Sequence, residues 1–143
     1  MRECFLIRRY ERFRKAIETL RDITKLNAND IINDYIMLSA LERNIHVAVE
    51  FLVDLSSYIL SELGSKIPDT YKGIVSSIGE ECNMDENLIK EIRGIIGLRN
   101  IIVHLYADMD YDLVLKELNE IVDSMLKYVK KLIECMKEKG IDP

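Results

Sequence analysis

Apolar residues recur at helical spacing along most of the chain. From about Cys4 to Leu26, Phe13, Ile17 and Leu20 fall at i, i+4 and i+7, with Ile7, Tyr10 and Ile23 on adjoining positions, the period of an amphipathic helix. The polar turn Asn27–Asp30 follows, where Asn29 or Asp30 is suited to cap a second helix. That helix is predicted from Ile31 to about Leu63, with Gly64 as its stop and Tyr35, Leu38, Ile45, Leu52, Leu55 and Ile59 as its stripe. Pro68 fits just before or inside the first turn of a shorter helix that carries Tyr71, Ile74, Val75 and Ile78 and ends near Gly79. Asn83 and Glu86 offer a capping pair for the next helix, which carries Leu88, Ile92, Ile95 and Ile96. Gly94 and Gly97 weaken that helix, and the pattern points to close approach of another helix, from this subunit or a second one. Asp108 or Asp110 can cap a last helix, whose stripe from Leu118 to Met136 runs on to Gly140. No strand, repeat or Gly-rich phosphate loop interrupts the series. The predicted architecture is an all-α bundle of four main helices plus a shorter one.

Composition narrows the picture. With 143 residues, 48% of them hydrophobic, only two prolines and six glycines, the chain suits one helical domain over residues 1–143 and not a disordered segment. The net charge of −5 is unhelpful to a general nucleic-acid binder. Any RNA contact therefore needs a local basic patch or a short, weakly held substrate. Arg8, Arg9, Arg12, Arg14 and Lys15 form one basic cluster. It reads as a solvated face balanced by Glu3, Glu11 and Glu18, the alternative being an RNA-backbone or partner patch. Cys4, Cys82 and Cys135 are odd in number and lack metal-type spacing, which predicts a reducing cytoplasm and no zinc site. The N-terminus has too short an apolar run for a signal peptide, and no transmembrane helix is expected.

The chemistry concentrates in Gly97–Tyr106, GLRNIIVHLY. Arg99, Asn100, His104 and Tyr106 stand in an otherwise apolar stretch, and a cation and an imidazole buried there need partners. Asn100 and His104 lie at i, i+4, so the amide can fix the imidazole tautomer. Arg99 and Tyr106 share a face at i, i+7, whereas Arg99 and His104 are about 140° apart on a regular helix. A cation, an oriented imidazole and a phenol suit phosphodiester chemistry on RNA without a metal or cofactor. His46 is read as a packing or surface residue. One imidazole cannot readily be base and acid in one step, which argues for a homodimer that pairs two copies. The structural alternative is that Arg99 and His104 merely satisfy carbonyls at a helix end.

Arg99-Asn100-Ile101-Ile102-Val103-His104-Leu105-Tyr106 resembles the Arg-x4-His-x-Tyr motif of the HepT toxins, members of the HEPN superfamily. The similarity extends through LERNIHVAVEFLVDLSSYIL (Leu41 to Leu60) and Pro68-Asp69-Thr70-Tyr71 to the last helix. It implies a HEPN-like all-α homodimer whose paired motifs form a metal-independent ribonuclease site. Arg99 and His104 are then catalytic, and Tyr106 is the residue adenylylated by an MntA-like nucleotidyltransferase antitoxin. RNA, with tRNA as one class of target, is the implied substrate. The competing expectation is a non-catalytic HEPN-like module that binds a nucleotidyltransferase or a nucleotide.

Overall fold

A computed structural model describes residues 2–104 and 109–142, with side chains from Leu6 onward. Every regular element among the described residues is a helix: α1 (Arg2–Thr24), α2 (Ala28–Ile32), α3 (Tyr35–Glu62), α4 (Tyr71–Glu81), α5 (Glu86–Val103) and α6 (Tyr111–Glu138). The all-α architecture and its four long helices are those expected, with α4 as the shorter one.

The expected single helix from Ile31 to Leu63 is two helices. The backbone of Asp34 turns extended (φ −117°, ψ 109°), and its carboxylate accepts from the amides of Ile36 at 2.9 Å and Met37 at 3.4 Å. That cap restarts the chain as α3, because the first amides of a helix have no partner inside it. Asn27, not Asn29 or Asp30, caps the five-residue α2. A further consequence is that Tyr35 and Ile36, at the tip of α3, are 85% and 77% exposed; Tyr35 is not part of the core stripe. Ile7 and Tyr10 of α1 are exposed too, whereas Phe13, Ile17, Leu20 and Ile23 are buried.

Asp85 caps α5 through the amide of Asn87 (3.1 Å), so the Asn83–Glu86 pair is not the cap. Asn83 instead takes a left-handed turn (φ 52°) that closes α4, with the Met84 amide donating to the Gly79 carbonyl at 2.9 Å. Gly64 ends α3 by the same device, the Ser65 amide reaching the Leu60 carbonyl at 3.0 Å. Thr70 caps α4 and Asp110 caps α6.

Helix α3 packs against every other helix, and its Leu41, Ile45, Ala48, Val49, Leu52 and Ile59 are fully enclosed. Burying each large aliphatic side chain contributes about 1.5–3 kcal/mol. The one buried polar side chain among the described residues, Ser56, donates to the Leu52 carbonyl at 2.7 Å and accepts from the Tyr128 hydroxyl at 2.6 Å. The close approach expected at Gly94 and Gly97 lies elsewhere within this chain. A Cβ on Gly94 would meet nothing within 4 Å and one on Gly97 only the end of the Lys72 side chain, Nζ at 3.6 Å and Cε at 3.9 Å, whereas one on Gly79 would strike Ile89 Cδ1 at 2.8 Å. No helix among the described residues is long and apolar enough to cross a membrane.

Cys82 and Cys135 are joined by a disulfide between the end of α4 and α6, their Cα atoms 5.6 Å apart. The odd cysteine count therefore does not mean free thiols throughout, and it no longer supports a reducing compartment. Closing so long a loop removes freedom from the unfolded chain. Reduction, or Cys135→Ser, is expected to lower the unfolding free energy by about 2–4 kcal/mol in urea titrations. Coincident curves with and without reductant would show that the bridge does not form.

Candidate active site at the end of helix α5

Helix α5 runs from its Asp85 cap to His104, whose backbone (φ −87°, ψ 5°) closes the last turn by donating its amide to the Asn100 carbonyl at 3.0 Å. Ile92, Ile95, Ile96 and Ile102 anchor this helix in the core. Arg99 stands on the same helix and points toward α3 and α4. Its terminal nitrogens donate in two directions, to Glu50 Oε1 at 2.7 Å and to Asn100 Oδ1 at 3.0 Å. The guanidinium plane also lies over the Tyr71 ring, 4.7 Å from its centroid. The Tyr71 hydroxyl donates to both oxygens of Glu50, at 3.0 and 2.9 Å. Arg99 is thus held on three sides and only 15% exposed. Each terminal nitrogen of a guanidinium carries two N–H groups, so these two bonds do not exhaust its donors. The Nε of Arg99 is buried without a hydrogen bond.

Asn100 was expected to orient the imidazole of His104; its side-chain oxygen serves Arg99. His104 is exposed at the helix end, little more than a turn beyond Arg99. Tyr106 lies outside the described residues. Sequence reasoning missed Glu50 and Tyr71 as partners of Arg99. The signal for Glu50 was present: it is the one acid in the apolar run Val47–Val53. Tyr71 carried none, since a tyrosine in a helical stripe reads as core.

His46, read as a packing residue, belongs to the same cluster. Its Nδ1 is 3.9 Å from Glu50 Oε1, buried and without a hydrogen bond. Burial holds its pKa below the usual 6.5; Glu50 opposes that shift, and Arg99 and Arg43 add to it. Burial likewise raises the Tyr71 phenol, assisted by its hydrogen bond to Glu50. Among the described residues no group of three or more His, Cys, Asp or Glu side chains could hold a metal ion.

A family model described as "Ribonuclease HepT-like" matches residues 13–132. The chain belongs to the HepT-like ribonuclease family. A protein of Archaeoglobus fulgidus with the name "Putative RNase" is 26% identical over 128 residues, 90% of this chain and 92% of that one. A protein of Aphanizomenon flos-aquae named "tRNA nuclease HepT" is 23% identical over 124 residues, 87% of this chain and 84% of its own length. Among solved structures, a tri-AMPylated Shewanella oneidensis HEPN toxin in complex with an MNT antitoxin superposes with a TM-score of 0.81 at 16% identity, covering 90% of this chain and 96% of that one. A toxin–antitoxin crystal structure with AMP-PNP gives a TM-score of 0.81 at 15% identity, covering 90% and 97%. The HepT-like chain therefore has the HEPN toxin fold.

Removing Glu50 leaves a mostly buried cation unpaired. Glu50→Ala is expected to cost about 1–3 kcal/mol of stability, and Glu50→Gln less, because the amide can still accept from Arg99. Equal unfolding midpoints for Glu50→Ala and the unsubstituted protein would exclude this role. Because the His46 pKa lies below 6.5 in the folded state, the unfolded chain binds more protons in the interval beneath 6.5 and stability falls as pH drops through it. His46→Gln should flatten that part of the stability–pH curve, read by denaturation at successive pH values.

Proposed function

We propose that this HepT-like protein is the toxin of a toxin–antitoxin pair, an endoribonuclease that needs no metal ion and uses Arg99 and His104. The observation that carries the reading is the guanidinium of Arg99, fixed by Glu50, Asn100 and Tyr71 on the helix that ends at His104, in a chain of a ribonuclease family. The relative named a tRNA nuclease supports RNA, tRNA included, as substrate. In the proposed step the 2′-oxygen of a ribose attacks the adjacent phosphorus and the bond to the 5′-oxygen breaks. A base takes the 2′-proton, an acid supplies one to the leaving oxygen, and a 2′,3′-cyclic phosphate and a 5′-hydroxyl result. His104 exchanges protons in this step, while the remaining N–H groups of Arg99 hold the phosphate oxygens as negative charge grows. Two copies of the single-domain chain, meeting as a homodimer, divide the acid and base roles. Asn100 supports Arg99. The reading places the protein in the cytoplasm, where such RNA is found.

Control is proposed to act through Tyr106. The similar structure of an AMPylated HEPN toxin bound to its MNT antitoxin supports a nucleotidyltransferase partner. AMP attached to Tyr106 adds a phosphate charge and a bulky nucleoside, which compete with substrate for Arg99. One observation favours a second reading, a non-catalytic module: Glu50 already neutralises Arg99, as in a purely structural ion pair.

Cleavage assays separate the two. His104→Ala is expected to lose about 10²–10⁴ in rate, with a comparable loss for Arg99→Ala, and excess EDTA should leave the rate unchanged. Light scattering should give twice the chain mass. Co-expression with a cognate nucleotidyltransferase and ATP should add one or more AMP units, mapped to Tyr106 and absent from Tyr106→Phe. Full activity in His104→Ala, or an unmodified Tyr106 in the co-expressed protein, would overturn the corresponding part of the reading.

A further inference from the structure

A groove of about 240 Å³ runs between α1 and α3, lined by Arg9, Arg12, Arg43, His46, Glu50 and Asp54. Its floor is firm, since Phe13 of α1 stacks on Phe51 of α3 with centroids 4.9 Å apart. Both acids of the groove are already engaged. Asp54 pairs with Arg9 across the two helices, and Glu50 pairs with Arg99 at 2.7 Å. Arg12 and Arg43 are exposed and make no ion pair among the described residues. The groove therefore holds a surplus of two positive charges on a chain whose net charge is −5.

The groove is also continuous with the candidate site. Arg43, His46 and Glu50 stand at i, i+3 and i+7 on one face of α3, which puts Arg43 about 10 Å along the helix from the carboxylate that grips Arg99. On α1, Arg8, Arg12 and Lys15 follow at i, i+4 and i+7, extending the line with the single acid Glu11 alongside, while Glu18 lines with Arg14 the separate groove against α6. A basic track leading to a fixed arginine, with only Val47 and Phe51 as apolar lining, matches a chain of phosphates better than a protein surface, whose core contacts are apolar and aromatic.

We infer that the α1–α3 groove is the backbone track for single-stranded RNA, with Arg12 and Arg43 holding phosphates next to the one presented to Arg99. This rests on the ribonuclease reading above and assigns the basic cluster of α1 a role beyond a solvated face. The contacts are to phosphates and carry no base specificity.

The test is a binding isotherm of a short labelled oligouridylate on the full-length His104→Ala protein, with and without Arg12→Ala and Arg43→Ala together. It is repeated from about 0.05 to 0.2 M salt. Losing two phosphate contacts should weaken binding about tenfold or more and reduce the salt slope by about 1.4, at about 0.7 per contact on a single strand. In the otherwise unsubstituted protein the double substitution should raise KM and leave kcat nearly unchanged. Arg12→Lys with Arg43→Lys should restore the slope, which separates charge from folding. Lys130→Ala with Lys137→Ala, in the α1–α6 groove, should change neither slope nor KM. An unchanged slope and affinity in the alanine pair overturns the inference, and loss only of nucleotidyltransferase co-purification reassigns the groove to a protein partner. If the unsubstituted protein cuts no RNA, the ribonuclease reading fails, while the isotherm still decides the groove.

Discussion

The ion pair between Glu50 and Arg99 links the two helices that matter most. Helix α3 runs through the centre of the bundle and touches all the others, and α5 ends in the polar group of the candidate site. A guanidinium only 15% exposed, among residues as apolar as Leu98 and Ile102, stays in place because a carboxylate waits opposite it. Tyr71 on α4 completes the arrangement by bonding to that carboxylate and covering the guanidinium with its ring. Three helices thus converge on one cation, and changing the packing of any of them changes its position.

The two members of the Arg-x4-His pair stand in different surroundings. Arg99 is fixed by partners from α3, α4 and its own neighbour Asn100. His104 sits at the helix terminus, where the backbone leaves the helical ladder and the side chain is exposed. In the role proposed for Arg99, a phosphate-binding group gains from being held in advance, because the cost of ordering it is met by folding and not by substrate. In the role proposed for His104, a proton-transfer group gains from solvent contact. The cost of fixing Arg99 is partial neutralisation by Glu50.

Charge distribution follows the same division. The net acidity of the chain is spread over the surface, while the α1–α3 groove has its carboxylates occupied by Arg9 and Arg99. What counts for a polyanion is the local surplus at Arg12 and Arg43, not the total.

The sequence by itself determined the all-α architecture and most of its helices, and it singled out candidate residues. Periodicity placed the stripes of α1, α3, α5 and α6, Gly64 and Gly140 marked helix ends, and the motif marked Arg99, Asn100 and His104. Local competition misled where two polar residues could each cap a helix. Asp34 broke the expected long helix and Asp85 displaced Asn83, and only the backbone conformation of each decides that. Tertiary structure alone decided what surrounds Arg99. Glu50 and Tyr71 lie far from it in sequence; an acid in an apolar run signals that Glu50 needs a partner but not which one, and Tyr71 looks like an ordinary stripe tyrosine. The pairing of Cys82 with Cys135, at a sequence separation of 53 residues, was hidden for the same reason. Helix formation rests on contacts a few residues apart, which a sequence displays; the partner of a buried charge is fixed by how helices cross, which it does not.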